Sequence, residues 1–283
     1  MITVGCLLKK LQRDIQSDTP ALDASLIIAK TTGLSRESIY LNLDRELSAT
    51  QADCIEELCK RRNTGEPIAY LLGKKEFFGK TFIVDHRVLI PRPDTEILVE
   101  TAIKQIDNLD DPISVLDLCC GSGCAGISVA ANRPNINLEM ADIDSKALEV
   151  AEINARRLLP EACKYRIVES DLFQHITTKY DIIITNPPYI SAKEYEVLRM
   201  ECWREPRHAL VAEDDGLEII GRIADIVKDY LKPGGWVMIE AADHQAVKIA
   251  DMLHSNGFLN VESILDLSGK RRVTVGKANN EVN

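Results

Sequence analysis

Four consecutive residues, Asn186, Pro187, Pro188 and Tyr189, carry the strongest chemical signal in the chain. They follow Tyr180 to Thr185, a short β-branched apolar run led by an acid, which reads as a buried parallel strand. Open α/β sheets bind their ligands outside the carboxyl ends of such strands. The prolines cannot donate to a ladder and their φ is fixed, so the strand must stop in a rigid loop. That loop would present the Asn186 amide oxygen and the Pro187 carbonyl as two fixed acceptors, with Tyr189 as an aromatic wall. Two acceptors held in this way suit a planar –NH2 group. An isolated Asn-Pro-Pro is also an ordinary strand-ending turn, so the flanking sequence has to decide.

A second constellation precedes it. Val115 to Leu118 reads as the end of a strand that contains Asp117, and Cys119-Cys120-Gly121-Ser122-Gly123 as a loop of small residues opening a helix. Gly121 and Gly123 let the backbone pass close to a ligand. No Lys-Ser/Thr follows, so this is not a P-loop. With Gly126 as a third glycine the spacing meets Gly-x-Gly-x-x-Gly, and a dinucleotide site stays open on this motif alone. Asp142 closes the next strand, where a carboxylate can accept both hydroxyls of a ribose. The neighbouring Asp144 is expected to cap the following helix instead. Asp171 follows the third strand, at the position of an adenine edge, and Leu172 could pack on the adenine face. A turn or cap is the plain alternative for Asp171.

These loops need a sheet to hold them. From about residue 113 strands alternate with helices: strands at 113–118, 137–141, 165–169, 181–185 and 236–240, helices at 126–131, 146–157, 217–230 and 244–255. Such alternation predicts a doubly wound, mostly parallel sheet. Strands at 261–267 and 272–277, joined through Ser268-Gly269-Lys270, would add an antiparallel edge, and the tail after Lys277 is expected to fray. Residues 1–73 read as a helical domain. Leu7, Leu8, Leu11 and Ile15 recur at helical spacing, and Ser48 with Gln51 forms the pattern of a capping box. Residues 74–90 read as a β-hairpin linker with strands at 77–84 and 88–90. A helix opening at Pro91-Arg92-Pro93-Asp94-Thr95-Glu96, capped by Asp94 or Thr95, begins the domain 91–283.

Composition narrows the partners. The 283 residues are 45% hydrophobic and 28% charged, as in soluble globular proteins. No apolar run reaches roughly 18 residues, so no membrane span is expected. Met1 to Lys10 lacks the apolar core of a signal peptide, and cytoplasmic residence is the default expectation. Eight cysteines without zinc-site spacing fit a reduced compartment and no metal. A net charge of −10, with only Lys60-Arg61-Arg62 and Lys270-Arg271-Arg272 as short basic groups, argues against a nucleic acid substrate.

The glycine loop, Asp142, Asp171 and Asn-Pro-Pro-Tyr together resemble the class I S-adenosylmethionine-dependent methyltransferases that act on amino groups. Three further stretches narrow the resemblance: Gly65-Glu66-Pro67-Ile68-Ala69-Tyr70-Leu71-Leu72-Gly73, Glu76-Phe77-Phe78-Gly79, and Leu89-Ile90-Pro91-Arg92-Pro93-Asp94-Thr95-Glu96. With Glu205-Pro206, Ala209-Leu210 and Gly216-Leu217 they are similar, over nearly the whole chain, to the peptide chain release factor glutamine methyltransferases. The resemblance implies a seven-stranded class I methyltransferase sheet and S-adenosyl-L-methionine as cofactor, leaving S-adenosyl-L-homocysteine. It implies a monomer whose substrate is a class 1 release factor, gripped by the helical domain and methylated on the glutamine of its Gly-Gly-Gln loop. It places Asn186, Pro187, Pro188 and Tyr189 at the amide, and Arg92, Thr95 and Glu96 on the substrate side, where helix capping is the plain alternative. Cofactor contacts fall to Asp117, Cys119, Cys120, Gly121, Ser122, Gly123, Asp142, Asp171, Leu172 and Asn186.

Two positions depart from the family's pattern. Its loop usually begins Gly-Thr-Gly, where this chain has Cys119-Cys120-Gly121, and a side chain at Cys119 is expected to require a negative φ. Its Gly after the strand-end Glu240 is replaced by Ala241. The rival functions are methylation of an exocyclic amino group of DNA or RNA, which should bring a basic face, a binding module with a decayed site, and NAD chemistry, which leaves Asn-Pro-Pro-Tyr unexplained.

Overall fold

The computed structural model describes residues 2–110, 112–200 and 204–279. Cys202 and the end of the tail, where fraying is expected, lie outside them. Contacts divide the chain into two compact units, Met1–Lys74 with Leu198–Arg204, and Lys75–Val197 with Glu205–Asn283.

The first unit is a helical bundle: α1 (Val4–Asp14), α2 (Pro20–Thr32), α3 (Arg36–Leu41), α4 (Ala49–Asn63) and α5 (Ile68–Leu72). The apolar faces legible in sequence meet in one core of Leu7, Leu8, Leu11, Ile27, Ile28, Ile39 and Ile55. The capping box is formed: Ser48 Oγ accepts from the Gln51 N–H and Gln51 Oε1 from the Ser48 N–H, each at 3.1 Å. Asp23, 1% exposed, is not left as a bare buried charge, because Arg62 Nε donates to it at 2.7 Å.

The second unit begins one residue into a hairpin of β1 (Lys74–Phe77) and β2 (Lys80–Ile83). The strands lie earlier than the sequence predicts, because the chain reverses at Phe78-Gly79, both at positive φ. Val88 and Leu89 line a cavity instead of pairing. A 3₁₀ turn, Pro93–Thr95, runs directly into α6 (Glu96–Ile106), with no side-chain cap. The expected capping by Asp94 or Thr95 is absent because both side chains are taken by distant partners: Arg272 holds Asp94 at 2.8 Å, and Thr95 donates to Glu240.

The sheet contains β3 (Ser114–Leu118), β4 (Asn137–Asp142), β5 (Lys164–Glu169), β6 (Tyr180–Thr185), β7 (Leu231–Glu240), β8 (Leu259–Leu265) and β9 (Arg271–Lys277). Its spatial order is β5-β4-β3-β6-β7-β9-β8. β3 pairs parallel with β4 and β6, β4 with β5, and β6 with β7. Ile182, Ile183 and Ile184 of β6 are wholly buried, as both faces carry helices. The terminal hairpin adds the expected antiparallel edge to the sheet. β9, its second strand, is inserted antiparallel between β7 and β8, and β8 forms the edge.

The chain turns from one half of the sheet to the other between β3 and β6, the switch point where such sheets open a crevice. Two helices frame it, α7 (Cys124–Asn132) and α8 (Ser145–Leu158). Asn154 of α8, fully buried, ties the frame together: its amide bonds both backbone groups of Ile83 and the carbonyl of Ser122.

Gly126 sets how closely α7 approaches the sheet. Its N–H donates to Asp117 Oδ2 at 2.8 Å, and an added Cβ would stand 2.8 Å from Asp117 Cβ and 2.9 Å from Leu138 Cδ1. Gly126→Ala is therefore expected to lower the urea midpoint of the cofactor-free chain, at a cost of about 1–3 kcal/mol for overpacking. An unchanged midpoint would show that α7 can lift off β3 without penalty.

Candidate active site

A cavity of about 340 Å³ opens at the carboxyl ends of β3, β4, β5 and β6, a volume within the range of small-molecule sites. Three turns build its floor. After β3 the backbone turns left-handed at Cys119 (φ 59°), Gly121 and Gly123. Cys120 still donates to the Ala141 carbonyl at 3.0 Å, so the loop is pinned to β4 as it leaves the sheet. After β5, Leu172 is also left-handed, held by Ser170 Oγ, which donates to the Leu172 carbonyl at 2.7 Å and accepts from the His175 N–H. After β6 come Asn186 and Pro188.

The positive φ at Cys119 overturns the expectation that a side chain there demands negative φ. A non-glycine residue pays about 1–2 kcal/mol for this conformation. Cys119 packs partly against the apolar cluster beneath the floor and lines the cavity with the rest of its surface. Burial pushes all three thiols of this loop up, that of Cys124 to about 12, so none is a ready nucleophile near neutral pH.

Three aspartates, Asp117, Asp142 and Asp171, stand in the polar lining. Asp142 accepts from the Gly121 N–H through Oδ2 at 2.8 Å and from the Asp144 N–H through Oδ1 at 3.0 Å, and each oxygen keeps a second lone pair. Burial raises its pKa against those two bonds. Asp117 is raised to about 7, by burial first and by the charge of Asp142, with the Gly126 N–H opposing. Asp171 is ion-paired with Arg222 at 2.8 Å, on the helix Glu218–Ile226. Asp144 caps α8 through the Lys146 N–H, as expected, and its other oxygen lies 3.1 Å from His208 Nε2.

The loop after β6 is held from behind. The Tyr189 carbonyl accepts from Gln245 Nε2 at 2.9 Å, and Gly216 (φ 83°) passes so close to it that a Cβ would collide at 2.0 Å. Ile190 and Val211 form a parallel bridge. In front, Asn186 Nδ2 donates to Thr95 Oγ1 at 3.2 Å, and Thr95 Oγ1 donates to Glu240 Oε1 at 3.2 Å. Glu205 clamps the remaining wall: its carboxylate accepts from the Ile90 N–H at 2.8 Å and pairs with Arg92.

The cavity thus gathers Asp117, Cys119, Cys120, Gly121, Ser122, Asp142, Asp171, Leu172, Asn186, Pro188, Arg92 and Thr95. Four residues singled out in the sequence lie off its wall. Gly123 caps α7 and faces Ile127 and Met140. Pro187 is buried, Tyr189 packs against the apolar cluster of the β6–β7 side, and Glu96 turns to the hairpin, accepting from the Phe78 N–H at 2.9 Å. Sequence reasoning missed Arg87, Val88, Leu89, Ser170, Arg207, His208 and Ile219 in the lining, and Glu240 behind it. Glu205-Pro206 was a visible signal without a role. Nothing in a linear reading separates Arg87 from any other surface arginine.

Comparison with known proteins gives the site its context. A family model described as Methyltransferase small domain matches residues 94–212, and one described as PrmC N-terminal domain matches residues 8–73. The release factor glutamine methyltransferase of Buchnera aphidicola is 36% identical over 95% of this chain and 96% of its own. That of Burkholderia pseudomallei is 38% identical over 92% and 93%. A 16S rRNA methyltransferase of T. thermophilus, solved in complex with AdoMet and guanosine, superposes with a TM-score of 0.53 at 16% identity, over 73% of this chain and 50% of that one. This last likeness establishes the fold, a class I methyltransferase sheet, and no more. On its sequence, over both of its units, the chain is a member of the release factor glutamine methyltransferase family.

Proposed function

We propose that the chain methylates the side-chain amide nitrogen of the glutamine in the Gly-Gly-Gln loop of peptide chain release factors, with S-adenosyl-L-methionine as cofactor. The observation that carries this is the orientation of Asn186. Its NH2 end is consumed by Thr95, so its oxygen is left to accept from an –NH2 group brought to the cavity. The names of the relatives point to release factors, and the small glycines of a Gly-Gly-Gln loop allow its glutamine to enter a narrow site.

The lining fits the cofactor. S-adenosyl-L-methionine carries a sulfonium, an ammonium, two ribose hydroxyls and an adenine amine, all of which favour acceptors. Asp117, Asp142 and Asp171 supply them. The four arginines of the lining are already engaged, Arg87 with Asp85 and Glu149, Arg92 with Glu205, Arg222 with Asp171, and Arg207 over the Tyr195 ring. We assign Asp142 to the ribose, Asp171 and Leu172 to the adenine, and the loop from Cys119 to Gly123 to close backbone contact.

When bound, the cofactor supplies an electrophilic methyl group. The chain's own contribution is position. An amide nitrogen is a poor nucleophile because its lone pair is delocalised into the carbonyl. Asn186 Oδ1 accepts one of its N–H bonds from the wall, and in this reading the carbonyl of Pro187, a residue buried off the wall, is reached for the other, so that the nitrogen is held in one orientation. Such positioning is worth at most roughly 7–11 kcal/mol of barrier. The same acceptors stabilise positive charge developing on nitrogen, and being fixed they need no reorganisation. Transfer leaves an N-methylated amide cation, and this cation gives up its extra proton to solvent so readily that no strong base is required. Tyr189 and Pro188 shape the loop, Arg92 and Thr95 the substrate side, and Glu96 anchors the hairpin. We assign the helical unit 1–73 to substrate grip, the hairpin 74–90 to linkage and 91–283 to catalysis. The chain is proposed to act as a cytoplasmic monomer. Methylation of DNA or RNA is disfavoured by the net charge of −10.

Asn186→Ala is expected to abolish methyl transfer to a purified release factor, while cofactor affinity measured by calorimetry stays within about threefold, since the substitution removes an interaction made to the amide. Equal loss of both would contradict the role given to Asn186. Asp117 adds a pH dependence with a definite sign. Its pKa of about 7 means that a cationic ligand must displace a proton from it below neutrality. Cofactor affinity is expected to weaken from pH 8 to pH 6, by about tenfold per pH unit at most below the pKa, and Asp117→Asn is expected to flatten the profile. A flat wild-type profile would show that Asp117 meets no positive charge.

A further inference from the structure

An asparagine amide has two ends of nearly equal size, and a half-turn about its last bond exchanges them. Only one orientation of Asn186 offers an acceptor to the cavity. Shape cannot choose between the two, so the choice falls to hydrogen-bond partners. Thr95 Oγ1 lies 3.2 Å from Asn186 Nδ2 and 3.2 Å from Glu240 Oε1. A hydroxyl has a single proton. If that proton goes to Glu240, the hydroxyl can only accept from Asn186, whose NH2 must then face it and whose oxygen must face the cavity.

We infer that Glu240 is a positioning residue: through the Thr95 hydroxyl it fixes which end of the Asn186 amide meets the substrate. The inference rests on the reading of Asn186 as an amide acceptor and extends it to a residue that does not line the cavity. The driving force is burial. Glu240 is 1% exposed, and its Oε2 has no hydrogen-bond partner among the described residues. Reversing Thr95 would strip Oε1 of its donor as well and leave a buried carboxylate with both oxygens bare, which is far more costly than one neutral hydrogen bond turned round. Burial pushes the Glu240 pKa up to about 7, the Thr95 hydroxyl opposes that rise, Asp94 adds to it, and Arg272 and Arg92 favour the charged form, so the amide and rate measurements belong above neutral pH, where the carboxylate is charged. Tyr189 lies close enough to feel the carboxylate. Thr95 is 2% exposed, so water does not compete for its proton.

The relay can be read without catalysis. In the cofactor-free chain labelled with ¹⁵N-asparagine, the Asn186 side-chain NH2 signal is assigned by its loss in Asn186→Ala. Thr95→Val and Glu240→Gln are each expected to move that signal and to speed its exchange with water by about tenfold or more, while Thr95→Ser, which keeps the hydroxyl, leaves it in place. In the paired assay with a purified release factor and saturating cofactor, kcat is expected to fall about tenfold or more in Thr95→Val and Glu240→Gln, with the Kd for S-adenosyl-L-methionine within about twofold, and to recover in Thr95→Ser. An Asn186 signal indifferent to both Thr95→Val and Glu240→Gln overturns the relay whatever the rates do. A signal that moves while kcat does not overturns its part in the reaction. A wild-type chain with the protected amide but no label on any release factor overturns the substrate assignment, and the amide signal still decides the relay.

Discussion

One threonine hydroxyl, shared between Asn186 and Glu240, binds together three stretches that are remote in sequence. The parallel register makes this possible. Thr185 of β6 lies beside Ile239 of β7, so the next residues, Asn186 and Glu240, emerge side by side at the carboxyl ends of their strands. Thr95 is delivered to the same point by the 3₁₀ turn before α6, and that turn is fastened by the ion pair of Asp94 with Arg272 at the start of β9. The site is therefore less a loop with useful residues than a crossing of strand ends. Its precision is inherited from ladders that cannot slip without moving every buried isoleucine of β6.

The floor of the cavity shows the opposite economy. Cys119 and Leu172 both hold left-handed conformations, at about 1–2 kcal/mol each. Folded domains keep only about 5–15 kcal/mol of net stability, so this is not a trivial part of it. The surrounding bonds account for its persistence: Cys120 to Ala141 on one side, the buried Ser170 hydroxyl on the other, and Asn154 spanning the hairpin and the glycine loop. Strain gathers where the backbone must turn sharply to clear room for a ligand.

The sheet was legible because its strands are short apolar runs separated by amphipathic helices, and the chemical motifs were legible because Asn-Pro-Pro-Tyr and the glycine loop are contiguous. Three things were not. The hairpin was misplaced because Phe78-Gly79 reverses the chain inside a run that reads as one continuous strand. The position of β9 inside the sheet is a matter of pairing partners, which alternation does not encode. Cys119 was expected at negative φ from the steric rule alone. The rule is a cost and not a prohibition, and the packing that meets it comes from residues far along the chain. Arg87, His208 and Glu240 share that last limit, since each matters only through neighbours that the fold supplies.

The placement of β9 has a consequence for the order in which the sheet can be completed. β8 has one ladder partner, β9, and β9 follows it in the chain. As the chain is synthesised, β8 emerges with nothing to pair against, while the outer edge of β7 stands open beside it. Only when β9 arrives does one strand satisfy both edges at once, and Arg271 and Arg272 at its start reach Asp243, Asp94 and Asp266 in the same event. Until then the turn that carries Thr95 lacks its anchor. A chain without β9 would therefore leave the β7 edge unpaired and the Thr95 turn without its Arg272 anchor.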